Sequence, residues 1–132
     1  MMKRIIILLI TFTLSYSTYA DTISYSDLVE RDGLLYEKYS LEPFTGKAKG
    51  RDGSGTVKDG KKEGVWGEFY ESGQLKIKGK FKDGKKHGLY ESYHENGQLR
   101  WKENYKDGKE HGLSESYHEN GQLRWKENYK DG

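Results

Sequence analysis

The chain has 132 residues, 33% of them charged and 14% aromatic, with a formal net charge of +2, 17 glycines and no cysteine. These values exclude disulfide bracing and thiol chemistry, and rings this abundant argue against simple disorder. So few aliphatic residues cannot fill a conventional two-layer core, which favours an extended array held by contacts between neighbouring units.

Lys3 and Arg4 precede an apolar run of ten residues, IIILLITFTL (5–14), followed by SYSTYA with Thr18 and Ala20 at the −3 and −1 positions of a cleavage site. A membrane-crossing helix needs about 20 apolar residues, so residues 1–20 read as a cleaved secretory signal rather than an uncleaved anchor. No cysteine follows the run, which excludes a lipid anchor. The expected mature chain starts at Asp21 and is exported, periplasmic or secreted. It loses two basic residues and no acidic one, leaving 21 of each sign. That balance argues against blanket attraction to nucleic acid.

Residues 21–60 are irregular. GLLYEKYS (33–40) has the composition of a strand, Pro43 breaks it, and EPFTGKAKG (42–50) opens another. The stretch from Gly46 to Gly60 resembles a later unit shortened by six residues, with RDGSGTVKDG as its turn and second strand. It is expected to act as an N-terminal cap.

From residue 61 the chain repeats every 24 residues, as units 61–84, 85–108 and 109–132. The last two differ only at Lys86/Glu110 and Tyr90/Ser114, so YHENGQLRWKENYKDG occurs twice, letter for letter. The chain stops on a unit boundary at Gly132, either because the array ends there or because the sequence is a fragment. Leu75, Ile77 and Phe81 alternate with lysines, as Leu99, Trp101 and Tyr105 do with Arg100, Lys102, Asn104 and Lys106. Period 2 predicts half-buried strands. Asn-Gly and Asp-Gly tolerate positive φ and mark hairpin turns, so each unit reads as one β-hairpin. A two-residue turn on Asn96-Gly97 would set Tyr93 opposite Arg100. A three-residue loop with Gly97 in the left-handed conformation sets it opposite Leu99. On that register Leu89, Tyr93, Leu99, Trp101 and Tyr105 share one side, as do Glu91 and Glu103, for which strand edges or lysine partners are the candidate explanations. The fold class expected is all-β: an elongated, single-layer antiparallel meander of tandem 24-residue hairpins.

The frame G-x-x-x-x-[FY]-x-x-x-G-Q-L-x-x-x-x-x-[FY]-x-D-G resembles the variant MORN repeat. It is carried by Gly64, Phe69, Gly73-Gln74-Leu75 and Phe81-Lys82-Asp83-Gly84. It recurs at Gly88, Tyr93, Gly97-Gln98-Leu99 and Tyr105 to Gly108, and again at Gly112, Tyr117, Gly121-Gln122-Leu123 and Tyr129 to Gly132. The resemblance implies a single-layer hairpin array serving protein or membrane-proximal contacts, with no catalytic residues. It also implies an antitoxin role, because many bacterial members are labelled antitoxins of toxin–antitoxin systems; an exported chain could not reach a cytoplasmic toxin.

Copying a segment does not build an active site, which needs different residues converging on one point, so no enzyme activity is expected. His87, His94, His111 and His118 recur with the period. Glu63 and Tyr70 at the matching places of the first unit break any metal-ligand ladder. Single aspartates 24 residues apart are turn residues rather than a calcium repeat, and no cofactor is expected. Two surfaces remain as candidates. Tyr93, Trp101, Tyr105, Tyr117, Trp125 and Tyr129 form either a stacking ladder for sugars or peptides or simply the packed face. Arg100, Lys102, Arg124 and Lys126, on the opposite side, form either a stripe for anionic lipid or an acidic partner, or a solvated face. The reading is an exported, non-enzymatic scaffold contacting unidentified proteins in the cell envelope, with cell-wall glycan or an anionic membrane surface as the alternative partner.

Overall fold

The computed structural model describes residues 21–130; the apolar leader, the cleavage site up to Ala20 and the chain end at Gly132 lie outside the described residues. Strands dominate. A short β1 (Thr22–Ser24) and one 3-10 turn (Tyr25–Asp27) lead into a separate two-stranded sheet, β2 (Leu28–Arg31) with β3 (Leu34–Glu37). Then follow β4 (Gly46–Lys49), β5 (Ser54–Lys58), β6 (Lys61–Phe69), β7 (Leu75–Lys82), β8 (Lys85–Tyr93) and β9 (Leu99–Lys106). The last unit supplies β10 (Lys109–Glu110), β11 (Gly112–Tyr117) and β12 (Leu123–Tyr129). From β4 to β10 each strand pairs antiparallel with the next, β11 lies antiparallel between β9 and β12, and β1 joins at one edge, parallel to β4. The expected meander of hairpins is the observed architecture, one hairpin per 24-residue unit.

Turn chemistry sets the registers. Asp59-Gly60, Asp83-Gly84 and Asp107-Gly108 all have positive φ, 49 to 51° at aspartate and 76 to 85° at glycine. Two successive positive φ values make a type I′ turn, whose twist matches that of paired strands. Between β8 and β9 the His94 N–H donates to Gln98 O at 2.8 Å, enclosing the three-residue loop expected from the sequence. Gly97 takes φ 83° and Tyr93 stands opposite Leu99.

The facial assignment, however, needs correction. Ser92 pairs with Trp101 while Tyr93 pairs with Leu99, so Arg100 is an extra residue in β9. The same bulge falls at Lys76 and at Arg124. Period 2 does not survive it. Leu75, Leu99 and Leu123 go to one face, and Ile77, Trp101 and Trp125 to the other. The first strands run opposite to expectation as well. Trp66 and Tyr90, not Val65 and Leu89, share a face with Trp101, since Tyr90 stacks on Trp101 at 5.5 Å and 9°. Val65 and Leu89 are exposed on the reverse side. Thus the five residues expected on one side divide, with Leu89, Tyr93 and Leu99 on what we term the Leu89 face, and Trp101 and Tyr105 on the Trp66 face. Glu91 and Glu103 divide likewise. Gly64, Gly88 and Gly112, with φ of 73, 96 and 88°, sit at a second bulge in each unit; bulges of both kinds bend and twist a sheet.

A single layer has little interior. The buried apolar cluster is Leu35, Phe44, Ala48, Val57 and Trp66, with Val57 fully enclosed. It lies at the N-terminal end, where Leu35 N–H donates to Gly60 O and Phe44 N–H to Leu35 O, tying β3 against the main sheet. Further along, burial comes from rings laid on glycines. A Cβ on Gly55 would lie 2.6 Å from the Trp66 ring, and one on Gly79 would lie 2.2 Å from the Tyr90 ring. At the third equivalent place the pair is Glu103 with Ser114, large and small exchanged.

This exchange is testable. Gly79→Ala should lower stability by about 1–3 kcal/mol, the usual cost of overpacking. Adding Tyr90→Ser to it should cost much less than the two single changes summed. Urea unfolding of the four proteins measures the coupling; an additive result would mean that the ring does not rest on the glycine.

Candidate interaction surface

The Trp66 face carries an aromatic row with lysines laid over it. Tyr25 meets Trp66 edge-on at 6.0 Å, and Tyr90 is edge-on to Phe81 at 6.2 Å and to Tyr105 at 5.9 Å. The Trp66 indole N–H donates to Thr56 O at 2.9 Å, so the ring is fixed as well as packed. The Lys62 Nζ sits 4.8 Å from the Trp66 centroid, and one unit later the Lys86 Nζ sits 3.9 Å from Tyr90 and 4.6 Å from Tyr105. An ammonium over an aromatic face is attracted by the ring quadrupole, by about 0.5–2 kcal/mol depending on desolvation.

The Leu89 face combines apolar and charged groups. Val65 and Leu89 are exposed one unit apart. Between them and the turns runs a carboxylate–tyrosine pattern. Tyr93 Oη donates to Glu91 at 3.1 Å and Tyr117 Oη to Glu115 at 2.8 Å, across two residues of the same strand. Tyr105 to Glu103 (2.7 Å) and Tyr129 to Glu127 (3.1 Å) repeat the motif on the Trp66 face. Glu115 also receives Lys102 Nζ at 2.6 Å and Lys126 Nζ at 3.0 Å. These hydrogen bonds, Lys102 first and then Lys126 and Tyr117, hold its carboxyl at about 2. Lys102 therefore joins the second unit to the third.

The two candidate groups are consequently interleaved rather than segregated. Trp101, Tyr105, Trp125 and Tyr129 lie on the Trp66 face. Tyr93 and Tyr117 lie on the Leu89 face with Lys102 and Lys126, while Arg100 and Arg124 are exposed at the bulges. Sequence reading missed Tyr90, the centre of the ring cluster. It also missed the linking role of the turn residues. Tyr70 Oη donates to Tyr93 O at 2.6 Å, and one unit on His94 Nε2 lies 3.1 Å from Tyr117 O. Asn96 Nδ2 donates to Glu119 O at 2.9 Å. The Asp83 N–H donates to Glu63 at 3.0 Å where the Asp107 N–H meets His87 Nδ1 at 3.4 Å. Glutamate and histidine thus cap the same turn in successive units, and no metal-sized cluster of His, Asp or Glu exists among the described residues. Tyr39, with φ 68°, and Leu41 are exposed in the loop after β3, which no sequence pattern flagged.

The family model described as MORN repeat variant matches residues 62–83, 86–109 and 110–131. No curated protein and no solved structure matches the chain.

Burial of the tyrosines and the bonds to Glu115 make stability depend on pH at both ends of the range. Glu115 has a folded value depressed from 4.5 to about 2, so its contribution is intact above 4.5 and fades as pH falls towards 2. Tyr90, Tyr93 and Tyr105 are raised above 10, by burial first, and Tyr129 by its bond to Glu127. Their contribution is complete below pH 10 and lost as pH climbs beyond it. Urea midpoints across pH should fall on both limbs, and Glu115→Gln should flatten the acid limb alone.

Proposed function

The chain belongs to the MORN repeat variant family, and from that premise we propose that it is an exported, non-enzymatic scaffold for protein–protein contacts in the cell envelope. Repeats of this family are commonly protein- or membrane-binding scaffolds. The observation that carries the reading is the periodic surface. The second and third units return all but two of their side chains to both faces at a spacing of two strands, which multiplies a contact instead of assembling a catalytic centre. The N-terminal pattern, basic pair, ten apolar residues and small residues before Asp21, supports export. The Leu89 face suits a protein partner because exposed Val65 and Leu89 alternate with lysines, an apolar strip with a charged rim.

Exposed Arg100 and Arg124 favour an anionic surface, lipid or envelope glycan, as the second reading. Two experiments separate these. The intact mass of protein recovered from a periplasmic or secreted fraction should match a chain starting at Asp21, whereas full-length protein confined to the cytoplasm would overturn export. A photo-crosslinking residue at Leu89 should capture a discrete protein from envelopes in a salt-resistant way. Retention on anionic vesicles that salt releases, without a discrete crosslink, would replace the protein partner by a lipid surface.

A further inference from the structure

The loop between β3 and β4 displays two large apolar side chains that the fold leaves uncovered. Tyr39 is 101% exposed and Leu41 87%. The backbone that carries them is held from several sides. Lys38 N–H donates to Asp27 O at 2.8 Å, and Ser40 N–H to Glu37 O at 3.0 Å. Glu42 N–H donates to Ser40 Oγ at 3.1 Å, Arg31 Nη2 donates to Ser40 O, and Pro43 bridges to Tyr36. Within this frame Tyr39 takes φ 68°, a strained conformation for tyrosine that persists only where the surroundings impose it. The loop is a fixed apolar knob.

The rim of the knob is acidic. Lys38 is paired with Asp27 at 3.9 Å, whereas Glu37 and Glu42 have no ion-pair partner among the described residues. A surface of the complementary kind stands elsewhere on the chain. On the Leu89 face Val65 is 58% exposed and Leu89 43%. Lys80 pairs with Val65 and runs alongside Gly88, its Cδ 3.5 Å from where a Cβ there would stand, so its stem lies between the two apolar residues. Lys78 and Lys82 flank it on β7, and none of the three has an ion-pair partner among the described residues. The carboxylates of that region are engaged, Glu63 by the Asp83 N–H and Glu91 by the Tyr93 hydroxyl. Knob and strip do not meet within one molecule. Leu35 and Phe44, on either side of the loop, pack with Trp66, while the strip is on the reverse of the sheet.

From this we infer that Tyr39 and Leu41 of one copy of this chain dock on the Val65–Leu89 strip of a second copy, with Glu37 and Glu42 against the lysines of β7. The inference rests on the protein-scaffold reading and names the partner. Side chains presented on a pre-ordered loop lose little freedom on docking, and a tyrosine at the centre of a small interface carries a large share of its energy. Opposite charge at the two rims sets the orientation. Knob and strip are different surfaces, so the contact is heterologous. Each joined pair keeps one knob and one strip free, and association continues in a row instead of stopping at two.

Sedimentation equilibrium of the full mature chain should give a weight-average mass that rises with concentration past that of a dimer. Tyr39→Asn with Leu41→Ser removes the knob, and asparagine tolerates the positive φ. Val65→Thr with Leu89→Thr removes the strip and keeps residues suited to strands. Each double variant alone should associate at least about tenfold more weakly, with the parent's urea midpoint. Mixed in equal amounts, the two should form a dimer and nothing larger, because one knob and one strip stay intact between them. Lys80→Glu, a single exposed change, should weaken association about fivefold. A parent chain that stays monomeric, a mixture that stays monomeric, or an unaffected Lys80→Glu variant would each overturn the contact. So would a monomeric chain held on anionic vesicles by Tyr39 and Leu41, which would assign the knob to a lipid surface. If self-association is absent while the Leu89 crosslink captures a different protein, only this inference falls and the scaffold stands.

Discussion

A ring lying on a glycine of the preceding strand is the contact on which this sheet depends. A single layer has no second layer against which to bury its side chains, so apolar area must be removed from water within the face itself. Trp66 on Gly55 and Tyr90 on Gly79 do this by placing a wide, flat group over backbone that has no Cβ in the way. The ring then covers backbone hydrogen bonds and offers its own outer face to Lys62 or Lys86. The first two units each need a glycine from the strand before them, and so neither completes its packing alone. That dependence is what makes the array cooperative from one hairpin to the next.

The hairpins, their 24-residue period and the three-residue loop were legible in the sequence because turn chemistry is local. Asp-Gly and Asn-Gly declare positive φ within two letters. The same signal at Asp32-Gly33 marks the β2–β3 turn, with φ of 51 and 76°, and went unread because its flanking strands are only four residues long. Facial assignment was not legible, for a physical reason. A bulge adds a residue without changing composition, and Arg100 resembles any other exposed strand residue until its partner strand is known. Adjacent apolar pairs, Val65-Trp66 and Leu89-Tyr90, fit either parity. The deciding information was non-local, in Gly55 and Gly79, one strand away, which alone leave room for a ring.

The same misplaced parity explains why the candidate surface had to be redrawn. Six aromatics taken as one ladder and four basic residues taken as its reverse are in fact distributed over both faces and two bulges. Carboxylates placed every second residue from tyrosine, Glu91–Tyr93 through Glu127–Tyr129, belong to neither category. They hold the phenol rings down with a charge-assisted bond, and where a lysine from the adjacent strand arrives, as at Glu115, the same oxygens join two units. A charged residue in an apolar alternation is therefore a linking element here rather than a defect in the pattern.

Near-identity of the second and third units makes their two differences informative. Independent drift over 24 positions would scatter changes across turns, lysines and both faces. Instead both fall on one contact of the second unit, the Lys86 ammonium and the Tyr90 ring beneath it. The joint change, with glutamate in place of lysine, removes the ring and its cation together, and Ser114 stays buried. The adjoining strand already carries Glu103 where Gly79 lay beneath Tyr90, so a tyrosine at 114 would meet a side chain instead of bare backbone. Large and small have exchanged places across one strand pair, and the third unit keeps the fold of its neighbours while presenting a surface of opposite charge.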